Sequence, residues 1–384
     1  MDLTAAAAIA GRTPFYRYDF GAVGRRVAQV RAALPDGVLL HYAIKANPMP
    51  ALVQRLAPLV DGLDVASHGE LLTALGTATD RAQISFAGPG KRDHELAAAL
   101  AAGVVVNVES GDELARLRRI ETTLGRPARF ALRVNPDYQL SGSGMTMGGG
   151  ATQFGIDAEA VGDVLGGRGR DGLCGLHIFA GSQNLRLDAL TGGVSHAFAL
   201  ADRLIRRYGL HLAHVNIGGG LGIPYFPREQ PLDLAAYGRH LGTEVDRWRQ
   251  RYPGTGVVLE LGRYLVGEAG VFVSRVVERK HSRGETFLVV DGGMHHHLAA
   301  SGNFGQVVRR NYPISAVTAK PDSPLETVTV VGPLCTPLDT LGRRVELPRC
   351  EVGDLVVVHQ SGAYGLTASP VHFLGHPAPV ELLL

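Results

Sequence analysis

Eight short apolar runs recur along the first 263 residues of this chain: LLHYAIKA (39–46), GLDVAS (62–67), QISFAG (83–88), VVVNVE (104–109), RFALRVNP (129–136), CGLHIFAG (174–181), HVNIGGG (214–220) and VVLELGR (257–263). Most are apolar at successive rather than alternate positions, which marks strands covered on both faces. Between them lie segments of helical period such as HELAAALAA, DELARLRRIETTL and LDALTGGVSHAFALADRLIRRYG. Strands separated by helices form a parallel sheet, and eight such units close into an α/β, (β/α)8 TIM-like barrel, expected over residues 24–263, with chemistry at the carboxyl ends of the strands. From about 264 the texture changes. GVFVSRVVERKH, TFLVVDGG, ETVTVVGPLC, RRVELP, GDLVVVHQSGAY and VELLL are β-type runs joined by Gly, Pro and Asp turns. They predict a C-terminal β-sandwich or β-barrel domain, made discontinuous by TPFYRYD near the start, so that residues 1–23 and 264–384 belong together. The Gly/Ser/Met segment 141–157 is expected to be a mobile loop over the barrel mouth.

Charge and cysteine usage narrow the partners. Thirty-eight Lys and Arg against 36 Asp and Glu leave a net charge of +2, so nucleic acid is excluded as the main partner. Cys174, Cys335 and Cys350 have neither metal-pair nor disulfide spacing, which fits a reducing cytoplasm. No apolar stretch approaches ~18 residues, so no membrane-spanning helix is expected. The N-terminal AAAAIAG has no basic stretch before it and reads as a frayed helix, not a signal peptide.

Lys45 is out of place in the first run. It ends an apolar strand, and the Asn-Pro after it forbids continuation. Only four of the 38 cationic residues are lysine, at 45, 91, 280 and 320. Arginine can neither lose its proton nor form an imine, whereas a desolvated lysine does both. Gly218, Gly219 and Gly220 follow another strand and offer backbone N–H groups to a phosphate, although glycine triplets are as often plain tight turns. Glu260 and Arg263 end the next strand, where a carboxylate could meet a ring nitrogen and a guanidinium the phosphate; singly, a salt bridge at a domain junction explains them better.

Together these are the parts needed to hold pyridoxal 5′-phosphate (PLP). The motifs HYAIKAN, DVASHGEL, LRVNPD, GSQ, IGGG, ELGR, VDGGM, GPLC and SGAYG occur in this order, and from about residue 13 to its end the chain resembles the fold type III PLP-dependent decarboxylases, the group of ornithine and diaminopimelate decarboxylases. The resemblance implies the alanine racemase/decarboxylase fold and a role for each matching residue. Lys45 would be the Schiff-base lysine with Asp64 near it, Arg133 would position cofactor and lysine, and Glu260 would pair with the pyridine nitrogen. Ser182, Gly218 to Gly220, Arg263 and Tyr364 would hold the phosphate. It also implies a homodimer with shared active sites, in which Cys335 of GPLC enters from the partner chain as proton donor to Cα; without the motif, Cys335 reads as a small buried apolar residue.

The departures from the family pattern concern the substrate. Ornithine and diaminopimelate decarboxylases carry Asp or Glu after that cysteine, to receive a distal ammonium, whereas this chain has Thr336. Leaving a buried cation unpaired costs about 3–5 kcal/mol. Ala299 and Ala300 stand where the diaminopimelate enzymes have Arg-Pro, so neither a distal ammonium nor a distal carboxylate has a partner. The segments VDGGMHHHLAAS, RRNYPI, GPLCTPLDTLGR and SGAYGLTASPVHFLGHP resemble decarboxylases of amino acids tethered as thioesters to acyl carrier proteins, of glutamyl or methylaspartyl type. His296, Tyr312, Thr336 and Asp339, all within these segments, are expected on the substrate side.

Three further features complete the expectation. Phe179 takes the slot where relatives place a histidine against the cofactor ring; His177, two residues earlier, reads slightly better as a satisfied core histidine than as a second layer behind the ring. The triple histidine 295–297 is not expected to bind a metal, because neighbours on an extended segment point to opposite faces. The arginine groups RLIRR, RWRQR and VVRR are solvated helix faces that could also dock an acidic carrier protein.

Overall fold

A computed structural model describes residues 2–139, 142, 145–146, 148–167, 169–306, 308–317 and 323–384. The chain divides into two compact units. The larger comprises Arg25–Ile223 and Gln230–Leu265. Its eight parallel strands are Val38–Ala43, Gly62–Val65, Ile84–Phe86, Val105–Val108, Arg129–Asn135, Leu173–Ile178, His214–Gly219 and Gly256–Leu261. Each pairs with the next, and the last pairs with the first through Val257–Val38 to Leu261–Tyr42, so the sheet closes into the expected barrel. Leu40, Leu63, Val65, Phe86, Val106, Leu132, Leu176 and Leu259 are fully buried, which is why these runs read as continuously apolar.

Local chemistry starts two of the barrel helices where the strands stop. Ser67 Oγ accepts the Glu70 N–H at 3.2 Å while Glu70 Oε2 takes the Ala66 N–H at 2.7 Å. The same arrangement, Ser110 with Glu113, opens the helix Gly111–Leu124. Each S-x-x-E satisfies N–H groups that a helix start leaves without partners.

The smaller unit comprises Met1–Gly24, Pro224–Glu229 and Val266–Leu384. Its mixed sheet runs Ile314–Val317, Leu355–Val358, Gly270–Ser282, Glu285–Val290, Leu325–Val331, Thr340–Pro348. Phe15–Tyr18 joins it antiparallel to Gly270–Ser282 and parallel to Val380–Leu383. Ile314–Val317 begins at the last residue of RRNYPI, a segment read from sequence as a substrate motif; the strand's partly buried pattern and the Arg and Pro before it hide it. The N-terminal helix Leu3–Ala10 is docked, not frayed: Ala6 is fully buried in a cluster with Phe15, Val273, Leu355 and Val357.

Part of the segment expected to be a mobile loop, residues 141, 143–144 and 147, lies outside the described residues. Around it, Met145–Thr146 pairs with Gly181–Ser182, and Asn135 takes the Gly149 N–H at 2.9 Å and donates to Gly150 O at 2.9 Å. Among the described residues no helix is long and apolar enough to cross a membrane.

Candidate active site

The strand Val38–Ala43 gives way to one 3-10 turn, Ile44–Ala46, before Pro48 ends the element. Ile44 and Ala46 point into the core and Lys45 is left half-buried between them. Its Nζ lies 5.8 Å from the centroid of the Phe179 ring. Asp64, at the end of the next strand, is buried and accepts the Ser85 hydroxyl at 2.8 Å. Burial, and then the neighbouring Glu260 carboxyl, push the Asp64 pKa well above the usual carboxylate range, against the pull of Lys45.

Glu260 closes the circle, because its strand is the one that pairs with the lysine strand. Its Oε2 accepts from His177 Nε2 at 3.0 Å and from Asn216 Nδ2 at 3.3 Å. His177 is therefore not a fully satisfied core histidine: one nitrogen is spent on Glu260, and the buried Nδ1 has no hydrogen-bond partner among the described residues. Sequence could not reveal this, since the two residues are 83 positions apart and meet only across the barrel.

The glycine turn is held close against its neighbours. Asn216 Oδ1 takes the Gly218 N–H at 2.8 Å, and Gly218 and Gly220 have φ of 71° and 85°, which favours glycine. A Cβ on Gly219 or Gly220 would collide with the carbonyls of Glu260 and Gly181 respectively. Ser182 stands beside this turn, where Asn184 N donates to Gly220 O at 3.0 Å, and Arg263 opens the short helix Arg263–Val266 after the last barrel strand. An amine, a carboxylate bonded for acceptance and a Gly/Ser turn on adjoining strand ends are a donor set that fits PLP.

Arg133 is buried, 4.9 Å from the Phe154 ring, and donates to Glu109 Oε1 at 3.1 Å. Glu109 is a site residue that sequence reasoning missed; it also takes the N–H of Gly88 at 2.6 Å and of Gly155 at 3.2 Å. Behind it, Lys91 donates to Gly88 O and Asn107 O and pairs with Glu113 at 2.7 Å, with both side chains buried. Its place among only four lysines was the available clue. Lys91→Met should cost about 3–5 kcal/mol in a urea melt, because Glu113, whose pKa burial already raises against the pull of Lys91, is left buried without its partner.

The remaining candidates lie in the smaller unit. Asp339 is buried, and its oxygens accept the N–H groups of Met294 at 2.6 Å and Leu334 at 2.9 Å. Expected on the substrate side, its carboxylate ties the histidine segment to the loop bearing Cys335. Cys335 is exposed, not buried, and Thr336 is half-buried with its Oγ1 accepting the Leu338 N–H at 3.3 Å. Tyr312 is buried against Tyr225, ring centroids 4.7 Å apart, and Tyr364 has a φ of 52°.

The histidine segment is a turn rather than an extended strand, so the argument from alternating faces does not apply. The rings of His295 and His296 come within 3.6 Å, and His296 Nε2 contacts Pro377 O at 3.0 Å. Among the described residues no group of three or more His, Cys, Asp or Glu is arranged to hold a metal. Several arginines of the groups expected as solvated faces are ion-paired while staying largely exposed: Arg206 and Arg251 with Asp202, Arg247 with Glu244, and Arg310 with Glu229.

A family model described as the pyridoxal binding domain of pyridoxal-dependent decarboxylases matches residues 20–267. The chain is 40% identical to an L-glutamyl-[BtrI acyl-carrier protein] decarboxylase of Niallia circulans, over 97% of this chain and 88% of that one. It is 33% identical to a diaminopimelate decarboxylase of Neisseria meningitidis, over 92% and 85%. The crystal structure of a Helicobacter pylori diaminopimelate decarboxylase complexed with L-lysine superposes with a TM-score of 0.86 at 28% identity, covering 97% of this chain and 92% of that one.

Proposed function

The chain belongs to the pyridoxal-dependent decarboxylases, and from that premise we propose that it decarboxylates an amino acid whose side-chain carboxyl is held as a thioester on an acyl carrier protein. The observation that carries the substrate reading is the neutrality of the loop from Gly332 to Thr340. Thr336 follows Cys335 where an acid would be needed to receive a distal ammonium, and the one acid of the loop, Asp339, is spent on two backbone N–H groups. The buried Ala299 and Ala300 offer no partner to a distal carboxylate either. A thioester removes the distal charge, which such surroundings require. The relative from Niallia circulans, named for a glutamyl group on a carrier protein, supports the same reading.

In this reading Lys45 would hold the cofactor's aldehyde end, with Asp64 beside it. Glu260 would pair with the ring nitrogen, Phe179 would lie against the ring, and Arg133 would keep the lysine and cofactor in place. Ser182, Gly218 to Gly220, Arg263 and Tyr364 would hold the phosphate. When bound, PLP supplies an electron sink for the bond pair released as the α-carboxylate leaves as CO2. Cys335, from the second chain of a homodimer, returns a proton to the carbon that lost the carboxylate, and His296, Tyr312 and Thr336 border the substrate.

Purified protein should be incubated with glutamyl- and methylaspartyl-carrier proteins and, separately, with free lysine-like and diaminopimelate-like amino acids. Intact-mass analysis is expected to show loss of CO2 from a carrier-bound substrate and little turnover of the free ones. Turnover confined to free amino acids would overturn the substrate assignment.

A further inference from the structure

The slot against the ring is occupied by Phe179, which carries no titratable or hydrogen-bonding group, so the imidazole nearest to it is His177, at a ring-centroid distance of 6.4 Å. We infer that His177 is a positioning residue for Glu260, donating its Nε2–H to Oε2 and, with Asn216, fixing the carboxylate in the orientation in which it meets the pyridine nitrogen. The inference rests on the assignment of Glu260 given above.

Three independent features lead there. The first is geometric: the strand Leu173–Ile178 pairs with both neighbours at His177, opposite Arg133 on one side and Asn216 on the other, so the ring is locked in register next to Glu260. The contact is 3.0 Å, both side chains are buried, and the same oxygen takes the Asn216 amide. A carboxylate that accepts two hydrogen bonds on one oxygen cannot rotate without breaking both.

The second is the protonation state. Burial, and then the Arg133 cation, lower the His177 pKa to about 3, while Asp64 and Glu109 oppose this and Lys45 adds to it. The imidazole is therefore neutral and has a single N–H. With the Glu260 oxygen as acceptor of the 3.0 Å contact, that proton sits on Nε2. The third is the cost of the arrangement. Nδ1 then presents a bare acceptor, buried and without a partner among the described residues. A histidine serving only to fill the barrel would be replaced at no loss by an apolar side chain; this one is held by what its other nitrogen does.

The test compares His177→Phe, which keeps a ring and removes the donor, with His177→Gln, which puts an amide N–H near the Nε2 position. Cofactor affinity is read by titrating apoenzyme with PLP and following its absorbance, and kcat and KM are measured on the accepted substrate. Losing a hydrogen bond to a charged group is expected to lower kcat about 10- to 100-fold with KM changed less than about threefold. PLP affinity should fall about tenfold, and the Gln variant should recover most of both. Equal behaviour of the Phe and Gln variants, whether both unimpaired or both equally impaired, overturns the inference. If the Phe variant does not fold, His177→Leu takes its place in the same comparison. Glu260→Gln in the same titration separates the two readings. If it leaves PLP affinity and kcat unchanged, the assignment of Glu260 fails; if it changes them and the His177 variants do not, only the positioning role fails.

Discussion

Lys45→Ala should abolish turnover, by at least about 10³-fold, and remove the visible absorbance of bound cofactor while leaving the fold intact. The expectation follows from where the amine stands. It emerges at the carboxyl end of a barrel strand, on a 3-10 turn whose other two residues are buried, with the Phe179 ring 5.8 Å away. Among the described residues no other lysine can substitute: Lys91 is buried in its own ion pair with Glu113, and Lys280 belongs to a strand of the smaller unit, while Lys320 lies outside the described residues. Because Lys45 is itself only half-buried and Ala suits a helical turn, the melt should move by less than about 1 kcal/mol. Borohydride reduction of the wild-type holoenzyme followed by peptide mapping gives the decisive reading. A label on Lys45 is expected, and a label elsewhere, or a Lys45→Ala variant that keeps its absorbance band, would remove the basis of the site.

Thr336→Asp is expected to change which substrate is preferred. The loop from Gly332 to Thr340 contains one acid, and both its oxygens are bonded to backbone N–H groups. A second acid at 336 would find no cation in a thioester substrate but would find one in a free diamino acid. Thr336 is half-buried, so the full cost of an unpaired buried charge is discounted to about 1–3 kcal/mol, a shift of about 5- to 150-fold in the ratio of the two kcat/KM values. Measuring both ratios on wild type and variant decides it. An unchanged ratio would mean that position 336 does not face the substrate's far end.

The barrel was legible because its strands are buried on both faces and alternate with segments of helical period, features that local sequence carries. The strand Ile314–Val317 was not, because all four of its residues are only partly buried and no apolar run announces it. The same distinction holds within the site. Lys45, the glycine turn and Glu260 stand at strand ends and could be found by type and place. Glu109, Lys91 and Glu113 form a buried network that no spacing reveals, and the turn at 294–296 was taken for extended backbone because Asp339, which captures the Met294 N–H, is 45 residues away.

The sequence by itself determined the periodicity, hence the eight-stranded barrel and the β-rich remainder, and it determined which residue types were available for chemistry. Only the tertiary structure decided what those residues do to one another. It spent Asp339 on backbone donors, and it set His177 and Asn216 on one oxygen of Glu260. The physical reason is range: hydrophobic period and helix capping act over a few residues, whereas closing a barrel brings together groups such as His177 and Glu260, 83 positions apart, whose hydrogen bond exists only once every strand between them is in register.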